Sequence, residues 1–258
     1  MSRAGAEARM ALPQVTLCAV SCINVAATVR AMDHSLAQID VAAARLFTDV
    51  PLSPPHPDIE VVLIPRIASS AAYSDFLLNR LVEHVDTSHC LIIQWDGHVI
   101  DANRWRSEFL DHDYIGASWP QFADGHDVGN GGFSLRSRRL MQLCRDPAFK
   151  QHHPEDVAIG RINRDWLEDQ GMSFAPRGLA DLFSAERAGD VGRSFGYHGA
   201  WLMPQAIGIP DFWALYPELD DRGTIRHDFA AILKQIGRGR GGLPRAARLI
   251  RDQMFWHC

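Results

Sequence analysis

Short, unbroken apolar runs alternate with longer stretches of helical spacing along the first half of the chain. "QVTLCAVSC" (14–22) is apolar and partly β-branched, which predicts a buried strand. In "NVAATVRAMDHSLAQIDVAAARLF" (24–47), Ala, Val, Met, Leu and Ile recur at helical spacing, which predicts one helix with Asn24 as N-cap. The proline-rich "PLSPPHPD" (51–58) reads as a loop. A strand over 59–65, a helix over 70–85 and a strand over 89–96 follow. A short helix (103–112) and the strand "DYIGASW" (113–119) come next. The second half is less regular. A Gly-rich turn leads through a short strand into a helix over 128–144, and "PEDVAIGRINRDWLEDQG" (154–171) predicts a helix that opens on Pro, Glu and Asp. "MSFAP" (172–176) reads as a strand, 178–186 as a short helix or turn, and 193–201 is Gly- and aromatic-rich.

Strands that alternate with helices and are apolar on both faces predict an α/β fold, with a mostly parallel central sheet and helices on both faces. In such sheets ligands bind beyond the carboxyl ends of the strands. The strand "LIIQWDGHVI" (91–100) ends its apolar run at Gln94, Trp95 and the carboxylate of Asp96. A buried strand that ends on an acid places that acid at the site rather than in the core.

Composition adds limits. With 258 residues, 47% apolar and 22% charged, the chain reads as one ordinary globular domain over 14–230. The opening "MSRAGAEARMALPQ" has charges of both signs and no apolar signal core, so 1–13 reads as a loose tail of a protein that is not exported. Cys18, Cys22, Cys90, Cys144 and Cys258 are scattered and odd in number, as reduced thiols of a cytoplasmic protein would be. Cys18 and Cys22 lack the second pair that a zinc site needs. Net charge is −5, but residues 231–258 hold six cations against Asp252 alone. With Leu243, Leu249, Ile250, Met254, Phe255 and Trp256 interleaved, that basic tail suits either a helix packed on the domain or an anionic membrane surface. The acidic remainder argues against nucleic acid.

Three further stretches could carry chemistry. "GNGGFSLR" (129–136) lets a ligand approach the backbone closely, but fits neither the phosphate-binding G-x4-G-K-[ST] loop nor G-x-G-x-x-G. In "HPEDVAIGR", Glu155 and Asp156 stand at a helix start, where an ionised carboxylate can accept a proton. His198 in "SFGYHG" lies between glycines that expose it.

Five motifs in order, Gln94 to Asp96 (Q-x-D), "DYIGASW" (113–119), "GNGGFSLR", "PEDV" (154–157) and "FGYH" (195–198), resemble a little-characterised family of bacterial and fungal sugar transferases of the GT-A fold. The resemblance covers roughly 14–201 and implies a single GT-A-like, Rossmann-like domain. It implies a transferase that moves a sugar from a nucleotide-sugar donor to the hydroxyl of a glycan or lipid-linked saccharide, with inversion. Asp96 would stand in for the D-x-D motif, which here is reduced to one acid, and with His198 would hold Mn2+ or Mg2+. Asp156, with Glu155 as the alternative, would be the base. Gln94, Trp95, Asn130, Gly131, Gly132 and Phe133 would line the donor and acceptor sites. Three rival readings differ in kind. A nucleotidyltransferase needs a Lys-bearing Gly-rich loop that "SCINVAA" lacks. A catalytically inactive GT-A-like domain would bind sugar nucleotide or a partner without turnover. A metal hydrolase built on His126, His152 and His153 has no fitting ligand spacing.

Overall fold

The computed structural model describes residues 9–255. Cys258, Trp256 and most of the expected N-terminal tail lie outside the described residues. The first strand, β1 (Met10–Val20), starts inside the stretch read as tail. Helix α1 (Val25–Leu36) follows, then β2 (Ile39–Thr48), β3 (Ile59–Leu63), α2 (Ser70–Asn79) and β4 (His89–Ile93). The single helix expected over 24–47 is therefore two elements. Its Ala-rich second half favours helix by propensity, but pairing in parallel with both β1 and β3 outweighs that preference. Gln38 holds the turn between them: its side chain donates to Val99 O at 3.0 Å and accepts from Ala102 N at 3.1 Å.

After β4 the chain makes two short 3-10 turns where the 103–112 helix was expected. It then adds β5 (Tyr114–Ile115), β6 (Phe133–Ser137) and α3 (Arg138–Leu143). The sheet order is β3-β2-β1-β4-β6-β5. β1 to β4 are mutually parallel, while β6 runs antiparallel to both β4 and β5. Alternate residues of β1 and β4 feed two cores. Leu17, Ala19, Leu91 and Ile93 meet α1 on one face, and Cys18, Val20, Cys90 and Ile92 meet α2 on the other. The sheet is thus covered on both sides, as its apolar strands require. The four cysteines among the described residues are buried and unbridged.

The helix expected over 154–171 is interrupted. It consists of α4 (Glu155–Val157), a π-turn over 158–162 and α5 (Arg164–Asp169). Asn163 stabilises the irregularity by donating to Ala158 O and Lys150 O, both at 2.9 Å. The 172–176 strand is reduced to a bridge between Tyr114 and Phe174. Asp113, just before β5, binds Arg139 at 2.7 and 2.6 Å and Ser173 N at 2.8 Å, which clamps the far end of β6. Helix α6 (Arg177–Phe183) leads into β7 (Ser184–Ala185), which pairs in parallel with β8 (Gly196–Tyr197). The chain ends in α7 (Met203–Ala206), α8 (Ile209–Leu215), α9 (Phe229–Ile236) and α10 (Gly242–Phe255). Ile232, Ile236 and Leu249 of the basic segment pack with Tyr197 and Phe212, so this segment is helical and seated on the domain. No helix among the described residues is long and apolar enough to cross a membrane.

Candidate active site

β4 stops at Ile93 and the chain turns at once, with Gly97 N donating to Gln94 O at 3.1 Å. The turn is forced close to β8: a Cβ on Gly97 would lie 2.7 Å from Tyr197 O. Gly199 N donates to Asp96 O at 2.9 Å, so the residues after β8 are tied to the turn. This pairing brings His198 opposite Asp96, although 102 positions separate them in the sequence.

His198 sits among three oxygens. Its Nε2 is 3.5 Å from Asp96 Oδ1 and 3.2 Å from Gln94 Oε1, and its Nδ1 is 3.3 Å from Glu186 Oε1. The ring lies on Gly132, where a Cβ would come within 2.1 Å of Nε2, so only glycine fits there. Burial opposes charging of the imidazole, but the Asp96 and Glu186 carboxylates prevail and raise it to about 10. Asp96 Oδ1 is buried without a hydrogen-bond partner. A cation that displaces the Nε2 proton would meet an orphaned carboxylate oxygen, an imidazole nitrogen and an amide oxygen that face one another, a donor set suited to Mn2+ and less to Mg2+, which prefers oxygens alone.

The Gly-rich turn forms the adjoining wall. Asn130 is buried in the left-handed region at φ 62. Its Oδ1 accepts from Gly132 N at 3.0 Å, and its Nδ2 donates to Glu186 Oε2. Gly131 admits Glu155, whose Oε1 would be 2.0 Å from a Cβ there. Glu155 is not a free base. It is buried, paired with the equally buried Arg136 at 3.0 Å, and accepts from Ser74 Oγ at 3.1 Å. Asp156 makes no ion pair among the described residues; its Oδ1 accepts from its neighbour Val157 N at 2.8 Å. Burial first, then the charge of Glu155, raise its carboxyl to about 6, and Glu186 pushes in the same direction.

A cleft of ≈ 380 Å³ opens beside this centre, beyond the carboxyl ends of β1 and β4. Ser21, Asn24, Tyr73, Gln94, Trp95 and Thr224 are among its lining residues. Gln94 joins the two regions: Nε2 donates to Tyr73 Oη at 2.9 Å, while Oε1 faces His198. A second cavity of ≈ 630 Å³ continues past Cys22 and Ile23 to Arg66 and Asp220. Asn24 stands at the helix start as expected, but its side chain makes no cap. Oδ1 accepts instead from Asp221 N at 2.9 Å, which ties the C-terminal segment to the cleft wall.

Phe133 is a correction. It is fully buried among Phe183 and Phe195 and is a core residue, not a lining one. The three histidines of the hydrolase reading are not brought together: His153 binds Ser74 at 2.8 Å, His152 is exposed, and His126 lies near Asp165 and Glu168. That last trio is the group of three potential metal ligands found among the described residues, but Asp165 is 89% exposed and Glu168 is shared with Arg164. Glu186 is the site residue that sequence reasoning missed. "SAERAG" has no motif or periodicity to mark it, and only the β7–β8 pairing brings it to His198.

A family model described as a protein of unknown function (DUF5672) matches residues 58–198. Among curated proteins none matches the chain. Solved structures with a similar course include the galactosyltransferase LgtC in complex with donor and acceptor sugar analogs. It is 14% identical with a TM-score of 0.47, over 80% of this chain and 96% of that one. Another is the mannosyltransferase PcManGT from Pyrobaculum calidifontis in complex with GDP-Man and Mn2+. It is 13% identical with a TM-score of 0.47, over 96% of this chain and 76% of that one.

Proposed function

The chain belongs to the DUF5672 family, and we propose that it is a glycosyltransferase that moves a sugar from a nucleotide-sugar donor to an acceptor hydroxyl. The observation that carries the reading is the meeting of Asp96 Oδ1, free of hydrogen bonds, with His198 Nε2 at 3.5 Å beside the cleft at the strand ends. Both residues come from the motifs that resemble GT-A sugar transferases, and a nucleotide in the cleft would direct its diphosphate toward them.

In the proposed mechanism, Asp156 accepts the proton of the acceptor hydroxyl. Its carboxyl, raised to about 6, is ionised at neutral pH yet basic enough to take a proton. The acceptor oxygen forms a bond to the anomeric carbon as the bond to the diphosphate oxygen breaks, and the electron pair leaves with the diphosphate. Attack from the face opposite the leaving group inverts the centre. Asp96 and His198, with Gln94 beside them, would hold Mn2+ or Mg2+. When bound, such an ion neutralises charge that develops on the leaving diphosphate. Asn130 and the glycines shape the wall on which the donor sugar rests, and Trp95 lines the cleft. The acceptor in this reading is a glycan or a lipid-linked saccharide. Exposed Leu243 and Met254, on the arginine-bearing α10, would bring the protein to an anionic membrane face where such acceptors reside.

The test is titration of the purified protein with nucleoside diphosphates and sugar nucleotides, with and without Mn2+. We expect tight, Mn2+-dependent binding of one nucleotide and its loss in Asp96→Asn. Absence of binding to any nucleotide would end the reading.

A further inference from the structure

Glu186 uses both carboxylate oxygens, and each holds a different wall of the site. Oε1 faces His198 Nδ1 at 3.3 Å, and Oε2 accepts from Asn130 Nδ2. His198 belongs to the residues after β8, and Asn130 to the turn before β6, so a single side chain sets the distance between them. We propose that Glu186 is the positioning residue that orients His198 for cation binding. The proposal rests on the reading of Asp96 and His198 as the pair that holds a divalent ion.

An imidazole binds a metal through a nitrogen lone pair, and which nitrogen carries it depends on the hydrogen bond made by the other. Glu186 is acceptor-only when ionised, so it claims the proton of Nδ1. With Nδ1 held by Glu186, the proton a cation must displace is the one on Nε2, and it is Nε2 that points at Asp96 Oδ1 and Gln94 Oε1. Glu186 also fixes the ring's rotation. A half-turn about the Cβ–Cγ bond would exchange Nδ1 with carbon and carry Nε2 away from Asp96. The carboxylate resists that turn, because it would lose its bond to Nδ1. Gly132 beneath the ring leaves no room for a tilt on that side, and Asn130, fixed by its own bond to Gly132 N, keeps the carboxylate from swinging. Glu186 is only 14% exposed, so water is a poor substitute for either partner.

The experiment is direct titration with Mn2+, with unbound ion read by electron paramagnetic resonance, on wild type, Asp96→Asn, Glu186→Ala and Glu186→Gln. Circular dichroism confirms which proteins are folded. We expect Asp96→Asn to abolish binding and Glu186→Ala to weaken it about 10- to 100-fold, as loss of a partner behind a metal-binding histidine does. Glu186→Gln, which keeps an oxygen toward Nδ1 but loses the charge, should fall between Ala and wild type. A role confined to stability would lower the melting temperature and leave the Mn2+ affinity of the folded protein unchanged. If Glu186→Ala fails to fold, Glu186→Gln decides: weaker Mn2+ binding supports the proposal, and wild-type affinity overturns it. Wild-type affinity in a folded Glu186→Ala overturns it with the metal site intact. A wild-type protein that binds no Mn2+, alone or with nucleoside diphosphate, overturns both the proposal and the metal reading beneath it.

Discussion

Replacing Asp156 with asparagine should make the protein more stable while it disables turnover. The carboxyl rises from an ordinary 3.8 to about 6 because it is largely buried and stands beside Glu155, with Glu186 adding to the repulsion and Arg136 only partly relieving it. One pKa unit corresponds to about 1.4 kcal/mol, so ionised Asp156 costs the native state about 3 kcal/mol at neutral pH. Asparagine keeps an acceptor for Val157 N, and the effect of the charge on that bond is already contained in the value of about 6. The gain of about 3 kcal/mol corresponds to about 6 to 12 °C in melting temperature for a chain of this size. The sign depends on pH. Below about pH 4 the side chain is protonated in both folded and unfolded chains, and the two proteins should melt together. Between about pH 4 and pH 6 the unfolded chain ionises and the folded chain resists, so wild type loses stability as pH rises and the variant does not. Above that window the difference is constant. Thermal melts at pH 4 and pH 7.5, with sugar-transfer rates at the latter, make the assay. Turnover should fall about 100- to 10,000-fold. Equal stabilisation at both pH values, or none at pH 7.5, would refute the reasoning.

Two further outcomes follow from the same structure. Glu155→Ala strands a guanidinium that is 1% exposed, and urea denaturation should show a loss of about 3 to 5 kcal/mol; a loss under about 1 kcal/mol would mean that Arg136 finds another partner. Leu243 is 83% exposed at the start of α10, and Leu243→Asp should reduce sedimentation with phosphatidylglycerol vesicles without changing the melting temperature. Unaltered vesicle binding there would exclude membrane contact through this helix. Truncation is a poorer probe, because Leu249 is fully buried and Asp252 pairs with Arg222.

What was legible in the sequence was the part written in local pattern. The apolar runs of β1 and β4 announced buried parallel strands, that of β3 became a parallel strand at the open edge of the sheet, and an acid at the end of β4 pointed to the candidate site. The segment 39–48 misled because alanines fit a helix as readily as a narrow strand between two partners, and only the neighbours decide. Glu155 and Asp156 look equivalent side by side. What separates them is Arg136, which lies on β6 and reaches one of them and not the other. Phe133 sits in a motif that resembles a sugar-binding segment, yet it alternates with Ser134 along β6 and so faces the aromatic core. Glu186 had no local signal, since its meaning arises from a two-residue strand pair.

The reversal of β6 makes the rim of the candidate site a matter of counting. Because β6 runs against β4, the last residue of one strand, Ile93, pairs with the first of the other, Phe133. A slip of one residue would turn Phe133 and Leu135 out of the core, rotate Arg136 away from Glu155, and move Asn130 and Gly132 by about 3.4 Å. The part that sets the count is at the opposite end of the strand, where Asp113 grips Arg139 and Ser173. That clamp acts as a gauge: it calibrates a candidate site it never touches, and damage to it would read out as a misaligned site rather than as an unfolded protein.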